Sequence, residues 1–364
     1  MKINLPKDFT PRLQKLIAAK DQNILASDFL LRYLLDSSSY SLEREFKRRA
    51  SISAAKEHLL ATVLVEAITK KRQHADVILD HLEGRCDFLS SEHYRDNLFL
   101  KTIKIHEEQV GKWRLSFDHY APYQAFAYKD INVDQCDFRE MTRLGFFDEL
   151  FSYPVVLEGK RVWMSITPHE IETMQPAIDE AAGVVAVMGL GLGYFPFMIA
   201  KKDSVKKIYV YEKDEEVISL FTKYLWPQFP HREKITIIAA DVLSDFHSCL
   251  EKSRPDYAFI DIWQGVDDGL PLYVHMKAKE KDFPKVRFRY WIEKSLIAML
   301  RRIVITILEE ALDGYTANDY QNIEKPIDEI FNTLFRKLVA THLVAFDDVL
   351  ELLTDDGIRK LLKR

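Results

Sequence analysis

Cysteine is scarce in this chain of 364 residues, and the three that occur, Cys86, Cys136 and Cys249, are far apart. An odd number without a Cys-x-x-Cys pair argues against both a disulfide framework and a zinc site. No uncharged run reaches about 18 residues, so the sequence predicts no transmembrane helix. The first residues turn polar at once, unlike a signal peptide, and we therefore expect a cytoplasmic protein.

A surplus of positive charge is also missing. The chain has 51 Lys and Arg against 56 Asp and Glu, a formal net charge of -5, so it has no overall attraction for nucleic acid or an anionic membrane surface. Basic clusters at residues 47–49 and 70–72 alternate with glutamates, which is typical of a solvated helix face. Hydrophobic residues make up 47% of the chain, enough for a sizeable core in two or three layers or subdomains.

The most informative stretch joins an apolar run to three alternate glycines. Residues 184–188 are all apolar, too continuous for a strand with one solvated face, and they predict a buried strand. Gly189, Gly191 and Gly193 follow, where the chain can turn sharply and a ligand can approach the backbone without meeting a Cβ. A helix is expected to begin at about Tyr194.

The next predicted strand, residues 208–211, ends at Glu212. A carboxylate in that position can accept hydrogen bonds from both hydroxyls of a ribose. A dinucleotide fingerprint needs glycine at its first, third and sixth positions, but the sixth position is Tyr194 counted from Gly189 and Pro196 counted from Gly191. The unit therefore favours a nucleoside over NAD or FAD, although a purely structural strand–turn–helix can have the same pattern.

Two more predicted strands end in acids. Asp241 follows the strand at residues 235–239, and Asp261 follows the strand at residues 257–260. Because the carboxyl ends of parallel strands meet at one edge of a doubly wound sheet, we expect both acids to lie near Glu212 at a ligand site. Asp241 also suits the N-cap of the next helix, and one residue can have both roles.

Over residues 180–265 this pattern resembles the class I S-adenosylmethionine (SAM) dependent methyltransferases. The resemblance implies an α/β fold with a Rossmann-like, mostly parallel sheet flanked by helices, and SAM as the cofactor. Glu212 would then bind the ribose, Asp241 with the N–H of Val242 would bind the adenine, and Asp261 would face the methionine portion or the methyl group. The floor of the site would consist of three glycines: Gly189, Gly191 and Gly193.

A weaker similarity is to the polyamine synthases, or aminopropyltransferases, which share the methyltransferase fold. In that family a hairpin and a helix precede the glycine motif, as predicted here for residues 154–166 and for a helix capped by Thr167. His169 and Glu170 resemble the family's His-Glu pair. In both families this segment lies beside the cofactor, which implies that Met174 lines the pocket; an ordinary capped helix would explain the same pattern.

The residues around the glycines weaken the aminopropyl alternative. Asp267 and Asp268 could bind a cationic amine, but the polyamine synthases have an Asp within the glycine run that orients the amine. This chain has Leu190, Leu192 and Tyr194 at those places. We therefore predict a SAM-dependent methyltransferase.

The sequence does not identify the acceptor, although it favours a small molecule over nucleic acid. It also assigns no catalytic residue. Tyr194 and Trp263 could wall the site or simply pack. A proton-accepting Asp-Pro-Pro-Tyr type of motif and the closing strands of the fold are missing, so a protein that binds SAM without turnover stays open. An apolar stripe at residues 303–308 is expected to be core or a partner interface, which leaves a homodimer open.

The sequence divides into four predicted regions. Residues 1–110 are expected to be helical, and residues 111–175 to be a mixed segment with the hairpin, including short strands from Trp113 and a helix at residues 138–151. Residues 176–292 would form the SAM-binding core, with a fifth strand beginning at Arg287. Residues 293–364 would form a helical C-terminal extension.

Overall fold

A computed structural model describes residues 3, 5–36, 42–50, 56–69, 74–314 and 326–363. It is an α/β protein with helical regions near both ends and several β-sheets between them. Among the described residues, no helix combines the length and the apolarity that crossing a bilayer requires.

The N-terminal region is mainly helical, as predicted. The helices are α1 (Thr10–Asp36), α2 (Glu43–Ala50), α3 (Lys56–Thr69), α4 (Ala75–Leu82), α5 (Ser91–Arg95) and α6 (Leu98–Thr102). Two short strands, β1 (Cys86–Phe88) and β2 (Glu108–Val110), interrupt the pattern. The basic cluster at residues 47–49 lies on α2, where Lys47 pairs with Glu43 at 2.7 Å, so it belongs to a solvated helix face. The cluster at residues 70–72 lies outside the described residues.

The middle of the chain forms small sheets. Its strands are β3 (Trp113–Tyr120), β4 (Phe126–Ala127), β5 (Asn132–Val133), β6 (Glu140–Met141), β7 (Leu144–Phe146), β8 (Phe151–Glu158) and β9 (Arg161–Ser165). They are arranged as β1-β7-β4, β2-β3-β8-β9 and β5-β6. The predicted hairpin is confirmed, since β8 and β9 pair in antiparallel fashion.

The predicted helix at residues 138–151 is wrong. This segment contains β6 and β7 and runs into β8. The misleading signal was the spacing of Phe147 and Phe151, four residues apart as on one helix face. Their rings do contact each other, with centroids 4.7 Å apart, but across a loop rather than along a helix.

The central sheet has five strands: β10 (Gly183–Met188), β11 (Val205–Glu212), β12 (Ile235–Ala239), β13 (Tyr257–Ile260) and β14 (Arg287–Tyr290). Their order is β12-β11-β10-β13-β14, and each neighbouring pair is parallel. The expected fifth strand is therefore present as β14. The strand order changes direction at β10, so the crevice between the carboxyl ends of β10 and β13 is the expected ligand position.

Helices follow or precede each of these strands: α7 (Pro168–Glu180), α8 (Tyr194–Ala200), α9 (Glu215–Leu220), α10 (Val242–Ser253) and α11 (Val266–Lys279). Their starts are locally encoded. The Thr167 hydroxyl accepts a hydrogen bond from the Glu170 N–H, with Pro168 in the first turn of α7. Asp214 caps α9 and Asp241 caps α10 in the same way.

The C-terminal helices are α12 (Glu293–Leu312), α13 (Pro326–Val339), α14 (Phe346–Leu353) and α15 (Asp355–Lys363). The apolar stripe at residues 303–308 is buried within the chain itself, which identifies it as core. Two ion pairs fix α12 to the N-terminal half, because Arg302 pairs with Glu140 and Glu309 lies 2.6 Å from Lys20. Asp130 accepts hydrogen bonds from the first N–H groups of α12.

Candidate functional site

The glycine run is a tight turn between β10 and α8. All three glycines have positive φ, with values of 100° at Gly189, 55° at Gly191 and 77° at Gly193. The turn is closed by neighbouring strands, since the Gly189 N–H donates to the Tyr211 carbonyl at 2.9 Å. A Cβ on Gly189 would lie 1.9 Å from the Asp261 carbonyl oxygen. Gly189 is therefore needed for the close approach of β10 and β13.

The other two glycines differ from each other. Gly191 lines a cavity, and a Cβ there would lie 3.4 Å from the Met164 sulfur, an ordinary contact. Gly193 is not among the cavity-lining residues, and a Cβ on it would lie 2.5 Å from the Phe221 ring and 2.7 Å from the Phe229 ring. Gly193, predicted to form part of the floor, thus lies apart from the cavity lining, where it lets α8 begin against two packed aromatic rings.

The cavity lies at the carboxyl edge of the central sheet and has a volume of about 310 Å³. That volume is at the lower end of the range for small-molecule sites. The structure brings six of the predicted residues together at it: Gly189, Gly191, Glu212, Asp241, Val242 and Asp261. Met174, Tyr194 and Trp263, expected beside the pocket, also line it.

Glu212 is held by the backbone on both sides. Its Oε2 accepts a hydrogen bond from the Leu190 N–H at 3.1 Å, and its Oε1 accepts one from the Asp214 N–H at 2.9 Å. Asp214 in turn accepts a hydrogen bond from the Trp113 indole at 3.1 Å. The carboxylate thereby joins the glycine turn to the start of α9. Each of its oxygens keeps a second lone pair for a ligand.

Asp241 caps α10, as the alternative interpretation predicted. Its Oδ1 accepts a hydrogen bond from the Leu243 N–H at 2.9 Å. Within the described part of the chain, neither Oδ2 nor the Val242 N–H has a hydrogen-bond partner. An acceptor and a donor thus stand next to each other at the cavity wall.

Asp261 and Glu170 are the two acids whose protonation the fold alters most at this site. Burial, together with the negative charge of Glu212, raises the pKa of Asp261 to about 7. Burial and the charge of Asp261 raise the pKa of Glu170 well above its ordinary value. Both side chains keep some exposed surface, and both line the cavity.

Sequence reasoning placed Glu170 only by a weak similarity and did not identify it as a site residue. Its position follows from the Thr167 cap, which fixes where the first turn of α7 begins and so directs the residue at N3 toward the strand ends. The cap was recognised in the sequence. What it faced depended on the packing of α7 against the sheet, which no local pattern reveals.

Tryptophan side chains form much of the apolar wall. Trp163 of β9, Trp263 after β13 and Trp291 after β14 all line the cavity. Trp263 is only 6% exposed, and its Nε1 has no hydrogen-bond partner in the described structure. Trp163 and Trp291 were missed because they come from a hairpin and a strand end whose position over the site is set by tertiary packing.

The two acids proposed for an amine in the loop after β13 differ in position. Asp268 lines the cavity, but its carboxylate accepts hydrogen bonds from the N–H groups of Gln264 and Gly265, each at 2.9 Å, at the start of α11. Asp267 is not among the lining residues. Asp268 thus holds the start of α11 at the cavity, and Asp267 lies outside the cavity lining.

The cavity combines a backbone-held carboxylate, a donor–acceptor pair, aromatic walls and two acids with raised pKa values. These groups can bind a nucleoside by its hydroxyls and its base edge, and a positive charge by the acids. No family model matches this sequence, and no curated protein is significantly similar to it.

Proposed function

We propose that this protein is a SAM-dependent methyltransferase with a Rossmann-like core, and that its cofactor binds in the cavity at the carboxyl edge of the central sheet. One observation carries the proposal: Glu212, Asp241 and Asp261, each following a different parallel strand, line the same cavity. Ligands of open α/β sheets bind at this edge, beside the point where the strand order changes direction.

The wall beside the glycine turn suits an adenosine. Glu212 has lone pairs left for the two ribose hydroxyls after accepting its two backbone hydrogen bonds. Asp241 Oδ2 would accept from the adenine amino group, and the Val242 N–H would donate to the neighbouring ring nitrogen. Such a pair would bind the edge of the base through one charged acceptor and one neutral backbone donor.

The acidic end of the cavity suits a sulfonium. When bound, SAM supplies a methyl group already activated by the positive sulfur, so the protein needs neither a nucleophile nor a metal. Asp261 would offset that charge, and the rigid glycine turn would hold the reacting geometry in line.

Methyl transfer is better supported than aminopropyl transfer. The residues between the glycines, Leu190 and Leu192, are apolar and buried, whereas an amine-orienting acid would be needed there for a polyamine synthase. Incubation with methyl-labelled SAM and pools of small acceptors is expected to give a labelled product. Turnover only with decarboxylated SAM would favour the aminopropyl alternative, and SAM binding without turnover on any acceptor class would favour a binding module.

Replacing Glu212 by Ala is expected to weaken SAM binding by about 1.5–3 kcal/mol, because it removes hydrogen bonds to a charged acceptor. Isothermal titration with SAM and with S-adenosylhomocysteine measures the change. The matched control is Glu215→Ala, three residues further on, whose side chain is exposed on α9 and whose loss should leave the affinity unchanged. An unaltered affinity in Glu212→Ala would remove Glu212 from the cofactor site.

A further inference from the structure

The acids that line the cavity fall into two groups. There are five of them: Glu170, Glu212, Asp241, Asp261 and Asp268. Glu212, Asp241 and Asp268 each accept at least one backbone N–H, which fixes their carboxylates. The side-chain carboxylates of Glu170 and Asp261 accept no hydrogen bond from any residue in the described ranges. Two carboxylates thus face the same cavity without a protein partner.

The positions of these two acids can be ordered. Glu212 follows β11 and Asp261 follows β13, on the two sides of β10. The strand beyond β13 is β14, and Trp291, directly after it, donates an indole hydrogen bond to the Thr173 hydroxyl of α7 at 2.9 Å. Along the edge of the sheet, Asp261 therefore lies between Glu212 and the first turn of α7, which contains Glu170. If Glu212 holds the ribose, Glu170 lies beyond Asp261, on the side away from the nucleoside. This is the side from which an acceptor would approach the methyl group.

None of the described residues that line the cavity brings a positive charge to this end. Lys213 is the only cationic side chain among the lining residues, and it is exposed next to Glu212. A carboxylate with little access to water takes up a proton, as the raised pKa values of both acids indicate, unless a cation or a hydrogen-bond donor pairs with it. The pair is therefore complementary to a ligand that brings a positive charge and several N–H groups.

The indole rings supply a second, independent observation. Trp263 is buried and lines the cavity, yet its Nε1 has no hydrogen-bond partner among the described residues. A buried donor left unpaired costs free energy that a bound ligand can recover. Trp163 and Trp291 line the same cavity, and the faces of indole rings attract ammonium groups.

On the basis of the proposed SAM site, we infer that the acceptor is an amine that enters as an ammonium ion and is bound by Glu170 and Asp261 between indole rings. Glu170 binds the cation, and Asp261 is the catalytic residue that accepts its proton. The freed nitrogen lone pair attacks the methyl carbon, so that an N–C bond forms and the S–C bond breaks. The electron pair of that bond stays on sulfur as a neutral thioether, and the product leaves as the methylated ammonium ion.

The inference is tested with the protein saturated with S-adenosylhomocysteine. Two amines, phenethylamine and 1-aminobutane, are titrated calorimetrically near neutral pH beside their neutral counterparts, 2-phenylethanol and 1-butanol. At least one amine is expected to bind about tenfold tighter than its alcohol, since a charged pair replaces a neutral contact. In Glu170→Gln the ratio of amine affinity to alcohol affinity should fall to about one. The affinity for S-adenosylhomocysteine should change by less than about threefold.

The control is Asp179→Asn, an exposed acid on the same helix whose side chain bonds only to Gln175 in the described structure; it should keep the preference for amine. Equal binding of amine and alcohol, binding of neither amine, or a preference that survives in Glu170→Gln would each overturn the inference. Failure of the proposed function is seen separately, as failure of the wild-type protein to bind S-adenosylhomocysteine in the first titration.

Discussion

Gly189→Ala is expected to destabilise the protein by about 4 kcal/mol or more, a loss that only a few mechanisms produce. The added Cβ would lie 1.9 Å from the Asp261 carbonyl oxygen, and a backbone atom cannot move aside as a side chain can. The hydrogen bond from the Asp261 N–H to the Met188 carbonyl, 2.9 Å long, holds the two strands at this spacing. Urea unfolding followed by circular dichroism measures the loss.

Gly191→Ala is the matched control. Its added Cβ would meet only the Met164 sulfur at 3.4 Å, so the cost is that of a positive φ, about 1–2 kcal/mol. This variant should fold and should unfold at a moderately lower urea concentration. If Gly189→Ala were no less stable than Gly191→Ala, the close approach of β10 and β13 would not be the reason for that glycine.

Asp261→Asn is expected to stabilise the ligand-free protein above neutral pH by about 2–4 kcal/mol. The pKa of Asp261 is about 7 in the folded protein against an ordinary value of 3.8. Below the ordinary value the carboxyl is protonated in both states, and the substitution has little effect. As the pH rises toward 7, the unfolded chain loses the proton first, so the wild-type protein loses stability that the asparagine variant keeps.

Thermal unfolding of both proteins across this pH range checks the sign as well as the size. Asp241→Asn is the control, because asparagine is as good an N-cap as aspartate and the carboxylate already accepts the Leu243 N–H; it should show no such gain. If Asp261→Asn gained no stability at high pH, the carboxyl would not be held away from water. If the proposed function holds, the same variant should also lose methyl transfer, since groups that serve activity often cost stability.

Much of the core could be predicted because its signals are local. The apolar run of β10, the glycines after it and an acid at each strand end have fixed spacings that follow from strand and turn geometry. The caps of α7 and α10 were also predictable, since one side-chain oxygen and the N–H groups of the next turn suffice.

The remainder depends on contacts between distant segments. Glu170 faces Asp261 only because α7 packs across the strand ends, and Trp163 reaches the cavity only because the β8–β9 hairpin folds over it. Gly193 looked like its two neighbours, but the rings of Phe221 and Phe229 decide its role. None of these partners lies within one turn or one strand of the residue concerned, so periodicity carries no information about them.

The tryptophans in the cavity wall should make the intrinsic fluorescence of the protein sensitive to ligand binding. Three of its five tryptophans, Trp163, Trp263 and Trp291, line the cavity, whereas Trp113 and Trp226 do not. A purine or an aromatic amine that enters would stack against these indoles and displace water from them. The emission intensity and wavelength of the unlabelled protein should therefore follow occupancy directly, so that ligands can be screened by fluorescence before any product is known.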